Sequence, residues 1–110
     1  MDANTTASNC TAVGMSALGQ NTTGGSNTAF GHNSMAINTT GTRNVALGMQ
    51  TLFHNNANDN VAVGHYSLES NTSGVSNVGI GESALDANTT GYRNVAVGKD
   101  ALFSNTTAID

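Results

Sequence analysis

The stretch R-N-V-A-L-G-M-Q-T-L-F at 43–53 returns as R-N-V-A-V-G-K-D-A-L-F at 93–103. Seven of the eleven letters agree in order, so the chain carries an internal repeat. Self-similarity at a fixed period is the sequence signature of stacked repeat architectures, in which each unit packs on its neighbours. The repeat therefore decides the fold class before any single residue does.

An asparagine recurs along the whole chain at intervals of 17 residues, with a single interval of 16. These residues are Asn4, Asn21, Asn38, Asn55, Asn71, Asn88 and Asn105. A glycine keeps step with them at Gly14, Gly31, Gly48, Gly64, Gly81 and Gly98. The chain thus divides into the units 4–20, 21–37, 38–54, 55–70, 71–87 and 88–104, followed by a partial unit at 105–110. We call the units coils one to six.

Positions within a coil are numbered on the consensus N-T-T-G-x-x-N-V-A-V-G-x-x-A-L-x-x. Positions eight to ten alternate large, small and large residues, which predicts a short strand. We expect the large pair to face the core and the glycine at position eleven to end the strand with positive φ. The leucine at position fifteen should be a further core residue on a second short strand, and N-T-T-G should form a turn. The predicted core is Val45, Leu47, Leu52, Val63, Leu68, Ile80, Leu85, Val97 and Leu102.

Each coil is too small to bury its own apolar face, so the coils should stack into one all-β domain, a parallel β-solenoid. With a rise of about 4.8 Å per coil, six coils make a rod of roughly 29 Å. Stacking repeats the residues Asn44, Gly48, Asn60, Gly64, Asn77, Gly81, Asn94 and Gly98. The asparagines among them, at position seven, should form a hydrogen-bonded amide ladder. We place the residue missing from coil four between Asp59 and Asn60.

The apolar content of one chain is low for a stable core, at 37% with 5% aromatic residues. Small residues at position nine, on the face predicted to be outward, would let another backbone approach closely. We therefore expect a homo-oligomer, most simply a homotrimer about the rod axis.

Composition argues against several classes of function. Only 9% of residues are charged and the net charge is −4, so we expect no nucleic-acid partner. No apolar run reaches transmembrane length, and the first ten residues do not read as a signal peptide. The histidines and carboxylates are scattered, so we expect no enzyme activity, no metal site and no cofactor.

The stretches N-V-A-L-G-M-Q-T-L (44–52), N-V-A-V-G-H-Y-S-L (60–68), N-V-G-I-G-E-S-A-L (77–85) and N-V-A-V-G-K-D-A-L (94–102) resemble the head repeat of YadA-like trimeric autotransporter adhesins. The N-T-T-G linkers also resemble repeats of phage tail fibres. The resemblance implies a left-handed trimeric β-roll, although a coil of 17 residues is also close to hexapeptide-type helices. It implies a structural or receptor-contacting fibre segment, outside the cell, on a virion or a bacterial surface.

Receptor contact, if present, should use the positions that vary between coils, namely five, twelve, thirteen, sixteen and seventeen. Tyr66, Tyr92 and His65 are the candidate contacts to a host glycan or protein, because exposed aromatic side chains are effective contact groups. Phe53 and Phe103 are better explained as seals of the coil ends or of the subunit seam.

An alternative is a free-standing solenoid that binds ice or a glycan. The threonines at position two would form a row, which is broken at coil four. Adjacent threonines in a strand face opposite ways, so the N-T-T pairs should not give two rows on one flat face. A fibre segment should be trimeric and inactive in ice and glycan assays.

Overall fold

The computed structural model describes residues 2–109, which contain one six-stranded parallel sheet. Its strands are β1 (Thr11–Val13), β2 (Thr28–Phe30), β3 (Val45–Leu47), β4 (Val61–Val63), β5 (Val78–Ile80) and β6 (Val95–Val97). Neighbouring strands pair in chain order and always join the same repeat position, such as Ala29 with Ala46 and Ala46 with Ala62. The coils therefore stack as a β-solenoid, as the repeat predicts, in a body of 34 × 21 × 16 Å.

The predicted orientation of the strands is wrong. The small residue at position nine faces the interior, and Ala29, Ala46 and Ala62 are completely buried. The large residues at positions eight and ten point outward: Leu47, Ile80 and Val97 are exposed, and Val45 and Val63 are only half-buried. The expected column of small residues on the outer face is therefore absent, and an apolar face takes its place.

The reason lies in the narrow interior of the coil. A Cβ added to Gly79 would lie 2.7 Å from Ser67 Oγ and 3.4 Å from Leu68 Cγ. The leucine of position fifteen thus reaches underneath the strand and leaves room there for a methyl group at most.

Position fifteen supplies the core, as predicted, but it lies in a turn and not in a second strand. Leu18, Met35, Leu52, Leu68 and Leu85 have no exposed surface. Leu102, predicted as core, is 50% exposed because it lies in the last full coil, where the described chain places no further coil over it.

Three non-glycine residues in every coil have positive φ. They occupy positions six, thirteen and fifteen, with φ between 50° and 62°, and the position-fifteen leucines are among them. The left-handed region costs an ordinary L-residue roughly 1–2 kcal/mol. Hydrogen bonds between coils offset this conformational cost. For example, Leu52 N–H donates to Ser67 O (3.1 Å) and Gln50 N–H donates to His32 O (2.9 Å). The alternation of left- and right-handed residues thus turns backbone groups toward the stack axis.

The glycine at position eleven has the predicted positive φ, between 122° and 140°. A Cβ on Gly14 would also lie 2.7 Å from the carbonyl carbon of Gly31, so stacking as well as conformation requires glycine.

Two buried ladders of asparagine amides run along the rod. The expected ladder at position seven is present: Asn77 Nδ2 donates to Asn60 Oδ1 (3.3 Å) and to Gly91 O (2.8 Å). A second ladder at position one, which the sequence analysis assigned to turns, is equally buried, and Asn88 Nδ2 donates to Asn71 Oδ1 (2.9 Å). Cys10 replaces asparagine in the first coil, and its Sγ lies 3.3 Å from Gly24 O.

The residue missing from coil four lies elsewhere than predicted. Thr39 Oγ1 bonds to Asn56 Oδ1 across 17 residues, whereas Arg43 bonds to Asp59 across 16. A Cβ on Gly41 would contact Ala57 O, so Ala57 occupies position four. Coil four therefore lacks position three, between Asn56 and Ala57. The predicted position was wrong because asparagine occurs at several places in the segment 55–60, so more than one alignment to the consensus fits.

The buried leucine column gives a matched pair of variants, because Leu68 and Leu102 share a repeat position and a left-handed backbone. We expect Leu68→Ala to lower the free energy of unfolding by about 2–5 kcal/mol, the cost of a cavity at a buried leucine. Leu102→Ala, at a half-exposed site, should cost less than about 1 kcal/mol. Denaturant unfolding at one protein concentration measures both, and equal losses would contradict the burial of this column.

Candidate functional site

The outward face of the sheet is an uncharged apolar surface that runs the length of the rod. It is formed by positions eight and ten, namely Thr11, Val13, Thr28, Phe30, Val45, Leu47, Val61, Val63, Val78, Ile80, Val95 and Val97. Phe30 is 56% exposed and Val97 69%. Contiguous apolar patches of this kind mark interaction surfaces in soluble proteins. We call it the outer sheet face.

Position twelve, which follows the strand and its glycine, borders this face. Its residues are Met15, His32, Met49, His65, Glu82 and Lys99. Lys99 Nζ lies 3.3 Å from Glu82 Oε2, so the two charges at this border pair along the stack. Both side chains are more than half exposed, and the ion pair contributes little to stability.

The three predicted receptor residues do not form one cluster. His65 and Tyr66 are adjacent, and their rings stack with centroids 3.8 Å apart and an interplanar angle of 25°. Tyr92 lies two coils further on at position five, where Arg93 Cζ is 5.2 Å from its ring centroid. Both tyrosines are at the surface, at different positions of the coil.

A column at position sixteen brings together residues that the sequence analysis did not combine. Phe53, Glu69, Asp86 and Phe103 lie on successive coils, as the bonds from His54 N–H to Glu69 O, Ser70 N–H to Asp86 O and Ala87 N–H to Phe103 O show. The carboxyl groups of Asp86 and Glu69 are close enough for Glu69 to raise the pKa of Asp86. Counting positions along the repeat would have aligned these residues, but only the stack gives the contact.

The carboxyl of Asp86 has a raised pKa. Partial burial is the largest cause, followed by the neighbouring charge and hydrogen bond of Glu69 and the charge of Asp100. Asp59 shows the opposite effect, because its hydrogen bonds with Arg43 lower the pKa of its carboxyl.

The threonine rows differ from the prediction, because positions two and three lie in a bend and not in a strand. Thr22 is half-buried and Thr23 exposed, and coils three and six repeat this pattern, so both rows reach the surface. The position-two hydroxyls donate along the stack, as Thr22 Oγ1 does to Thr39 O (3.0 Å). Their protons are thus already bonded within the chain.

Residues 2–109 contain no cluster of side chains that could hold a metal ion. No three His, Cys, Asp or Glu side chains lie together there, and that part of the surface has no cavity. No helix in the described chain is long and apolar enough to span a membrane.

Comparison with protein-family models, curated proteins and solved structures found no match. The functional argument therefore rests on the surfaces of the rod.

The two perturbed carboxyls predict opposite pH dependences. The pKa of Asp86 is higher in the folded than in the unfolded chain. Ionisation of Asp86 therefore lowers the free energy of unfolding as pH rises from the ordinary carboxyl pKa of about 4 through the raised value. Asp86→Asn should therefore increase the free energy of unfolding at pH 7 and change it little at pH 3.5.

Asp59→Asn is the control of opposite sign. The pKa of Asp59 is lowered in the folded chain. Its ionised carboxylate therefore adds to the free energy of unfolding above the ordinary carboxyl pKa, and this stabilisation is lost as pH falls through the lowered value. This variant should be less stable than the parent at pH 7. Denaturant unfolding across pH measures both, and destabilisation by Asp86→Asn at pH 7 would contradict the assignment.

Proposed function

We propose that the chain is a structural segment of an extracellular fibre, the shaft or head of a phage tail fibre or of a bacterial surface adhesin. Three sister chains associate through their outer sheet faces. The observation that carries the proposal is that face, which exposes apolar side chains on all six strands and carries no charge.

A second copy of the chain fits this surface better than an unrelated partner does. The side chains of the face repeat at the spacing of hydrogen-bonded strands, about 4.8 Å. A partner with the same repeat can match every row, and another copy has that repeat by construction. Since the face is uncharged, identical rows can meet without like-charge repulsion.

The repeating interior supports a mechanical role. Two buried amides and one buried leucine or methionine recur in each of coils two to five, while the charged and aromatic side chains are distributed over the surface. Such a body holds a fixed spacing along its axis. It does not concentrate reactive groups at one point.

The mass in solution tests the proposal. In sedimentation equilibrium, the parent chain should have a molecular mass three times that of the 11.1 kDa monomer. Leu47→Lys, which places a charge in the centre of the outer sheet face, should sediment as a monomer because the charge would have to be desolvated in the interface. Thr40→Lys, at an exposed residue on another face, should leave the trimer intact.

Circular dichroism establishes that the variants are folded. If Leu47→Lys does not fold, Leu47→Thr with Ile80→Thr places β-branched residues, which suit strands, at both positions and should still weaken association. A folded parent chain that stays monomeric at 100 µM (roughly 10⁻⁴ M, a weak affinity) would refute assembly through this face.

Glycan binding is the second candidate, and the position-sixteen column favours it. Phe53 and Phe103 lie at the two ends of the Glu69–Asp86 pair, about 14 Å apart at the coil rise. Aromatic rings offer apolar surface to a sugar ring, and carboxylate oxygens accept hydrogen bonds from its hydroxyls. His54 and Ser70 at position seventeen add polar groups beside the column.

A printed array of neutral, acidic and amino-sugar glycans tests this candidate. Under the glycan proposal, Phe103→Ala should reduce binding by about tenfold or more, which corresponds to about 1.4 kcal/mol. Thr90→Ala, at an exposed residue of the same coil, is the control and should bind as the parent does. If the parent chain binds none of the glycans on the array, the glycan proposal is contradicted and the purely structural function is retained.

A further inference from the structure

The short coil changes the hydrogen bonds at the N-T-T-G corner on both of its sides, toward coil three and toward coil five. Between coils two and three, the N–H groups of Thr22, Thr23 and Gly24 all donate to the backbone carbonyl of Thr39, at 3.0–3.2 Å. Coils one, five and six make the same three-donor contact to the segment that follows them, whereas coil four donates to coil five only through Asn56 N–H, which bonds to Thr72 O (3.1 Å). The three-donor contact is the regular connection at the N-T-T-G corner.

Between coils three and four, side chains replace this backbone contact. Thr39 N–H and Thr40 N–H donate to the side-chain Oδ1 of Asn56, at 2.7 and 3.2 Å. Thr42 N–H donates to Asn58 Oδ1 at 2.8 Å. Asn56 and Asn58 thus fill the space that the missing position three leaves.

The position-one amide ladder is interrupted at the same place. Asn38 Nδ2 donates to Asn21 Oδ1 at 2.7 Å, and Asn71 Nδ2 donates to Asn55 Oδ1 at 2.7 Å. Asn55 Nδ2, however, donates to Ala57 O within its own coil. Asn38 Oδ1 is therefore buried without a hydrogen-bond partner, at a cost typical of an unsatisfied polar atom.

An exposed ion pair also crosses the joint between coils three and four. Arg43 bonds to Asp59 through both carboxylate oxygens, at 2.6 and 2.9 Å. The two side chains are 60% and 44% exposed, so solvent screens the pair and it does not compensate for the interrupted ladder.

We propose that the rod opens first at the joint between coils three and four, and so behaves as two three-coil blocks joined by side-chain contacts. Stability in a stacked-repeat protein is approximately a sum of coil and nearest-neighbour interface terms. One weakened interface therefore determines where opening begins, provided that its loss exceeds the fraying of the ends. The proposal concerns the chain itself and does not depend on the fibre function.

Amide hydrogen exchange by NMR tests the joint, because a uniform rod and a jointed rod give opposite profiles. In a uniform rod the centre is protected best, since opening starts at the ends. In the jointed rod the amides of Thr39 and Thr40 should exchange about tenfold faster than those of Thr22 and Thr23, although they lie nearer the centre. Central amides that exchange as slowly as Thr22 and Thr23, or more slowly, would overturn the proposal.

Two length variants give the matched controls. Insertion of a threonine between Asn56 and Ala57 restores a seventeen-residue coil and should slow the exchange of Thr39 and Thr40 to that of Thr22 and Thr23. Deletion of Thr90 shortens coil six at the same position and should create a second fast-exchanging site at Thr72 and Ser73, whose N–H groups bond to Thr89 O. Unchanged exchange in both variants would show that coil length does not determine where the rod opens.

Discussion

The fold depends on hydrogen bonds that run along the rod from one coil to the next. In most proteins with a core of this size, apolar burial dominates, but here the interior of each of coils two to five holds one leucine or methionine, small side chains and two asparagines. The asparagine amides satisfy both the neighbouring amide and the carbonyl at position four, as Asn77 does with Asn60 and Gly91. An Asn side chain has two donors and one carbonyl acceptor, so a column of them can be bonded along its length without water. The left-handed residues at positions six, thirteen and fifteen serve the same end, because they direct backbone N–H groups toward the adjacent coils.

This interior explains why the surface is apolar. Leucine at position fifteen and the amides occupy the coil, so the strand contributes only alanine or glycine inward, and its large residues are placed outside. The outer sheet face is therefore a consequence of the coil's size. A sequence that keeps valine, isoleucine, leucine or phenylalanine at position ten in every coil, on a surface facing water, implies a partner for that surface. Under the fibre proposal, that partner is a sister chain.

Periodicity alone predicts the stacking, the strand positions and the strand register, because a repeat of fixed length places like residues above one another. It could not predict which face of the strand is inside, since large-small-large alternation is the same for either orientation, and the position of Leu68 beneath the strand decides it. Nor could it predict a left-handed leucine, because leucine has no preference for that region. For the candidate site, variability between coils predicted surface positions for Tyr66, which is half-buried, and for Tyr92, which is exposed. The meeting of Glu69 with Asp86 required the stack, and the joint at Asn56 required hydrogen bonds that leave no trace in the consensus.

The most direct test of this account is the free energy of unfolding of Asn77→Leu, which keeps the side-chain size and removes one amide from the centre of the position-seven ladder. The variant would leave Asn94 N–H buried without its present partner and would remove one of the two donors to Gly91 O, which keeps its bond from Asn88 Nδ2. We predict a loss of about 2 kcal/mol, since one orphaned buried group costs about 1–3 kcal/mol. A loss below about 1 kcal/mol, or a gain in stability from the added apolar surface, would contradict the claim that axial hydrogen bonds hold the coils together.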